Sequence, residues 1–98
     1  MNLFWTETAQ KDLLAIQRYI AVDNPTAAEL WVQRLRQRAQ NALMAPLAGR
    51  MVPELSREDV RELIEGNYRV VYQVFVDRLV VLTVFEGHRL FPEKVRDQ

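Results

Sequence analysis

The sequence predicts an α+β fold in which an N-terminal helical hairpin packs on a small antiparallel β-sheet. Three observations predict it. Apolar residues recur at helical spacing from residue 6 to 43, short runs rich in Val, Leu, Tyr and Phe follow from residue 61 onward, and a connector bearing Pro and Gly separates the two patterns. At 98 residues, 49% of them apolar and 27% charged, the chain has enough hydrophobic side chain for one core, and residues 1–98 read as a single domain.

In the first helix, Thr6 to Val22, residues Ala9, Leu13, Ile16 and Ile20 fall on one stripe, with Lys11, Asp12, Gln17 and Arg18 outside it. Thr6 suits the N-cap and Glu7 the positive end of the helix dipole. Asn24-Pro25 opens a second helix, with Asn at the N-cap and Pro where its missing N–H costs nothing. Its buried stripe is Ala27, Trp31, Leu35, Ala39, Ala42 and Leu43, and it should stop before Pro46. Arg34, Arg36 and Arg38 lie about 200° apart from one to the next, so they read as a solvated face.

Residues 45–59 form a polar connector containing Pro46, Gly49 and Pro53. Beyond it, Arg61 to Glu65, Tyr68 to Val76 and Leu79 to Glu86 read as three strands joined by the turns Gly66-Asn67 and Asp77-Arg78. Leu3-Phe4-Trp5 adds at most a short edge strand. A two-residue turn at Asp77-Arg78 sets Phe75 opposite Val80, Gln73 opposite Leu82, Val71 opposite Val84 and Arg69 opposite Glu86 on one face. The other face pairs Val74 with Val81, Tyr72 with Thr83 and Val70 with Phe85. Both faces are then apolar, and one helical hairpin covers only one of them. The second is covered either by Leu90 to Val95 or by a partner, and a partner would contact Val71, Phe75, Val80, Leu82 and Val84.

The absence of cysteine excludes a disulfide scaffold, thiolate zinc sites and iron–sulfur clusters. No phosphate loop, HExxH or nucleophile with an obvious base is present, so no metal and no cofactor are expected. Thirteen basic and thirteen acidic residues cancel, so neither bulk attraction to nucleic acid nor direct sequence-specific DNA binding is expected. No basic segment followed by an apolar run opens the sequence and no long apolar stretch occurs, which points to the cytoplasm and away from membranes. Candidate functional groups gather at one end of the sheet. Arg50, Arg61, Arg69 and Arg89 could converge there, and guanidinium forks grip phosphate or carboxylate. Arg69 could instead pair with Glu86 across the strands. His88, in Glu86-Gly87-His88-Arg89, has an intrinsic pKa suited to proton transfer.

These residues resemble a known family, the ParE branch of the ParE/RelE superfamily of toxin–antitoxin toxins. The likeness rests on Trp5-Thr6, Ala9, Asp12-Leu13, Tyr19-Ile20-Ala21, Asp23-Asn24-Pro25, Ala27-Ala28, Gly49-Arg50, Val52-Pro53-Glu54, Arg61-Glu62-Leu63, Tyr68-Arg69-Val70-Val71-Tyr72 and Gly87-His88-Arg89. It implies the RelE/ParE-like fold and a toxin neutralised by a cognate ParD-like ribbon-helix-helix antitoxin, which would cover the apolar groove and the open sheet face. ParE-like toxins act on DNA gyrase, whereas RelE-like toxins cut messenger RNA on the ribosome. A nuclease would use Arg61, Arg69, His88 and Arg89. Leu63 stands where that branch has a lysine, however, and no tyrosine follows Tyr72. The resemblance therefore favours a gyrase-binding inhibitor over an enzyme, with Arg50, Arg69, His88 and Arg89 as its toxic surface. A non-toxic member that only binds its antitoxin is the remaining alternative.

Overall fold

The computed structural model describes residues 1–96. A strand β1 (Asn2–Trp5) leads into helices α1 (Glu7–Ala21) and α2 (Pro25–Asn41), then a 3-10 turn at Ala42–Met44. Strands β2 (Arg50–Met51), β3 (Val60–Glu65), β4 (Tyr68–Val74) and β5 (Arg78–Glu86) follow, and a short helix α3 (Glu93–Arg96) ends the described chain. Both helix starts follow from their caps. The Thr6 hydroxyl accepts the Ala9 amide and the Asn24 side chain accepts the Ala27 amide, each at 3.0 Å. Ala28 takes the buried place on α2 that the spacing gave to Ala27, in line with Leu35 and Ala39.

The sheet order is β1-β5-β4-β3-β2. The three-stranded meander is present, and Leu3-Phe4-Trp5 does form an edge strand. That strand runs parallel to β5, so the sheet is mixed and not wholly antiparallel. Residues 6–77 separate β1 from β5, which leaves room for the crossover that a parallel pair requires. Gly66-Asn67 forms a two-residue turn, with Glu65 opposite Tyr68. Gly66 has φ +59°, and a side chain there would strike the Trp31 ring at 2.4 Å.

The register of β4 against β5 differs from expectation in two ways. The tight turn is Val76-Asp77, because the Phe75 amide donates to Arg78 O at 2.9 Å. A β-bulge then sets Tyr72 opposite Val81 and Val71 opposite Thr83, with Leu82 the extra residue. Beyond it Val84 packs on the helices and Phe85 on the other face, the reverse of the sequence reading. Arg69 consequently faces Phe85, and Glu86 faces Tyr68. Helix α1 caps this irregularity. Thr6 Oγ1 donates to Leu82 O at 3.0 Å, and the Asp12 carboxylate accepts the Val84 amide at 3.0 Å together with the Thr83 hydroxyl.

Leu13, Leu35, Val70, Val81 and Val84 fill the core between the helices and the sheet. The opposite face was expected to offer a partner surface of Val71, Phe75, Val80, Leu82 and Val84, and most of it is sealed internally. Val52 and Leu55 from the connector, with Phe91 and Val95 from the tail, close over Val60, Val71, Leu82 and Phe85. A hairpin of two helices leaves one greasy face uncovered, and the connector and the tail together cover its centre. Phe75 and Val80 stay half-buried, and Phe4, which pairs in register with Val80, is 50% exposed.

Candidate functional site

The arginines expected to gather at one end of the sheet are divided among three separate environments. Arg61 on β3 is a structural clamp. Its guanidinium donates to the carbonyls of Leu47, Gly49 and Glu58 at 2.9 to 3.1 Å, tying the connector to the sheet.

Arg69 and Arg50 belong to an ionic quartet. Arg69 Nε donates to Glu62 at 2.6 Å, and its two terminal nitrogens grip Glu54 at 2.8 and 2.9 Å. Glu62 is completely buried and also accepts from Arg50 Nε. Two cations and two anions cancel, which is the arrangement that lets charge persist under a sheet face. Arg69 and Glu62 meet because alternate residues of adjacent strands share a face. The Arg69 guanidinium holds the Glu54 carboxyl down to about 2, and the same contacts raise the Arg69 pKa above its ordinary value. The guanidinium carbon lies 5.0 Å from the Phe85 ring centre and 5.7 Å from that of Phe91. The two rings meet edge-on, 5.7 Å apart. Arg69 therefore has no free donor face for an outside phosphate. This pairing replaces the cross-strand bridge to Glu86 weighed from the sequence.

His88 and Arg89 stand in the turn that follows β5. The Arg89 amide donates to Glu86 O at 3.0 Å, and the Gly87 amide donates to Asn67 O at 2.7 Å. Among the described residues neither side chain has a hydrogen bond or ion pair, and Leu90 beside them is 93% exposed. Arg89 lines a groove of about 280 Å³ between α1 and the sheet end, with Ile16, Tyr19, Tyr68, Phe85 and Glu86. Burial raises the Tyr68 phenol above its ordinary pKa, so it stays a neutral hydrogen-bonding group there. His88 lies on the other side, in a shallow groove with Arg50, Ile64, Asn67 and Arg69. The turn is thus a cationic tip with an apolar knob, set between two grooves.

Sequence reading missed Asp12, Glu54 and Glu62. Asp12 lies outside the apolar stripe that the spacing marks, and its value to the fold comes from a bulge in a strand about 70 residues away. Glu62 carried a usable signal, an acidic residue inside a strand whose alternate neighbours are apolar. Among the described residues no group of His, Asp and Glu could hold a metal ion. No helix among them is long and apolar enough to cross a membrane.

A helical hairpin laid on a mixed five-stranded sheet, with a short tail crossing the opposite face, is the α+β architecture to which the sequence pointed. The chain belongs to the ParE toxin family: the family of the ParE toxin of type II toxin-antitoxin system, parDE, matches residues 3–91. It is also similar to a solved structure, the chromosomal ParDE TA system from P. aeruginosa. The identity is 27% and the TM-score 0.72, over 88% of this chain and 95% of that one. No curated protein matches.

Proposed function

We propose that this chain is a toxin that inhibits DNA gyrase in the cytoplasm by binding and is neutralised by a cognate ParD-like ribbon-helix-helix antitoxin. The observation that carries the reading is the exposed turn His88-Arg89-Leu90, in which neither the His88 nor the Arg89 side chain is paired among the described residues, while Arg69 is held by Glu54 and Glu62 and Arg61 by backbone carbonyls. A binding toxin needs a protruding, uncommitted surface, and this turn is one. A ribosome-dependent nuclease needs free cations on the sheet to hold the scissile phosphate, and two of its four candidates are occupied. Arg89 and His88 therefore carry the toxic contact, with Arg50 at its margin and Arg69 acting from beneath.

The antitoxin has two surfaces suited to it. Val80 and Phe4, at the free edge of β1, suit an added strand, with Phe75 at the nearby β4–β5 turn, and the groove between α1 and Tyr68 suits an apolar anchor. Val71, Leu82 and Val84 support this contact from within, since they lie in the core.

The test is expression without antitoxin in growing cells, together with supercoiling by purified gyrase. Growth arrest with a DNA-damage response and blocked supercoiling is the expected result. Normal supercoiling with cleaved messenger RNA would reverse the reading, and loss of that cleavage in His88→Ala would assign it to proton transfer, typically worth about 10²–10⁴-fold in rate.

A further inference from the structure

The turn that carries His88, Arg89 and Leu90 is held at both ends. At its start Glu86 is still paired to Tyr68, and the Gly87 amide is bonded to Asn67 O at 2.7 Å. At its end Phe91 drops back into the sheet face. It is only 6% exposed, meets Phe85 edge-on and covers the Arg69 guanidinium. Pro92 O then accepts the amides of Val95 and Arg96, so Val95 is buried as a second fastening. Three side chains, His88, Arg89 and Leu90, are left outside between these anchors, and two of them are the residues already assigned to the toxic contact.

Arg69 is what Phe91 rests on. Its charge is spent on Glu54 and Glu62, and its planar face offers the ring a cation–π contact. From this geometry we infer that Phe91, seated on Phe85 and the Arg69 guanidinium, is the positioning residue of the toxic turn, presenting His88, Arg89 and Leu90 in one preset arrangement. The inference rests on the toxin reading given above. The partner that such a tip fits is a protein surface with carboxylates around an apolar depression: the Arg89 guanidinium meets the rim and Leu90 enters the dimple. Presetting matters because a loop that must be ordered on contact loses affinity to the lost freedom of its side chains.

The experiment uses the full chain with Phe91→Ala, Phe91→Leu and, separately, Arg89→Ala. It reads inhibition of purified gyrase per folded molecule, with the folded fraction taken from near-ultraviolet dichroism, and amide exchange at Arg89 and Val71. Phe91→Ala should weaken inhibition by about tenfold or more, while Phe91→Leu, which keeps the apolar plug, should recover most of it. In Phe91→Ala the Arg89 amide should exchange at least about tenfold faster with the Val71 amide unchanged, since only the turn is released. Equal acceleration at both amides would mean general destabilisation and overturn the inference, as would an unchanged Arg89 amide. Full inhibition by Phe91→Ala beside a dead Arg89→Ala would overturn the positioning role alone. Full inhibition by Arg89→Ala, or none by the parent chain, would overturn the toxin reading and this inference with it.

Discussion

Asp12 and Val84 are joined across the interface between helix and sheet, the carboxylate of one accepting the backbone amide of the other at 3.0 Å. The bond closes an opening that the β5 bulge leaves in the ladder. A buried amide without an acceptor costs about 1–3 kcal/mol. Asp12→Ala should therefore lower unfolding stability by about that amount, whereas Asp12→Asn, which keeps an acceptor oxygen, should lose less. Urea denaturation of the two variants checks it, and equal losses would show that the oxygen is not the important atom.

Gly66 should tolerate no side chain. Its φ of +59° disfavours any L-residue by about 1–2 kcal/mol, and the added Cβ would lie 2.4 Å from Trp31, whose ring must move. Gly66→Ala should destabilise by about 2 kcal/mol or more and shift the tryptophan emission. A melt and emission spectrum matching the parent would contradict the packing described.

The ionic quartet predicts a compensation. Arg69→Met leaves the buried Glu62 with Arg50 as its remaining cation and should cost about 3–5 kcal/mol. Removing both charges with Arg69→Met and Glu62→Leu should recover most of that loss. If the double variant is as unstable as the single one, the charge on Glu62 is not the source of the penalty.

Acid should act on the same cluster. Pairing depresses the Glu54 carboxyl from an ordinary 4.5 to about 2 in the folded chain. Its contribution is thus fully present above about pH 4.5 and is lost as pH falls toward 2, and because solvent screens this exposed carboxylate the effect is on the order of 1 kcal/mol. Stability measured from pH 6 to pH 2 should fall less steeply below about pH 4.5 in Glu54→Gln than in the parent. Parallel curves would show that Glu54 is not the group that titrates.

Much of the fold was legible in the residues. Thr6 and Asn24-Pro25 mark both helix starts because a cap is chemistry local to a few residues. The β3–β4 turn was legible because Gly66 supplies the backbone conformation it needs. The β4–β5 register was not, because Leu82 becomes an extra residue only when Thr6 and Asp12 are on hand to satisfy the groups it frees. Strand β2 was hidden in the polar connector, since Arg50-Met51 has no period of its own and pairs only because Arg61 pulls residues 47 and 49 onto β3. The site was half legible. His88 and Arg89 stood out as polar residues just past a strand, and among the described residues neither side chain is paired. Arg69 looked equally available, and only the fold brings Glu54 and Glu62 onto it.

On the proposed toxin reading, the sheet's own cations are spent on the fold and the turn after β5 makes the toxic contact. A dose–response of gyrase supercoiling with Arg89→Ala beside Arg50→Ala tests it most directly. Arg89→Ala should lose inhibition while Arg50→Ala keeps most of it. Full inhibition by Arg89→Ala together with its loss in Arg50→Ala would place the contact on the sheet and not on the turn.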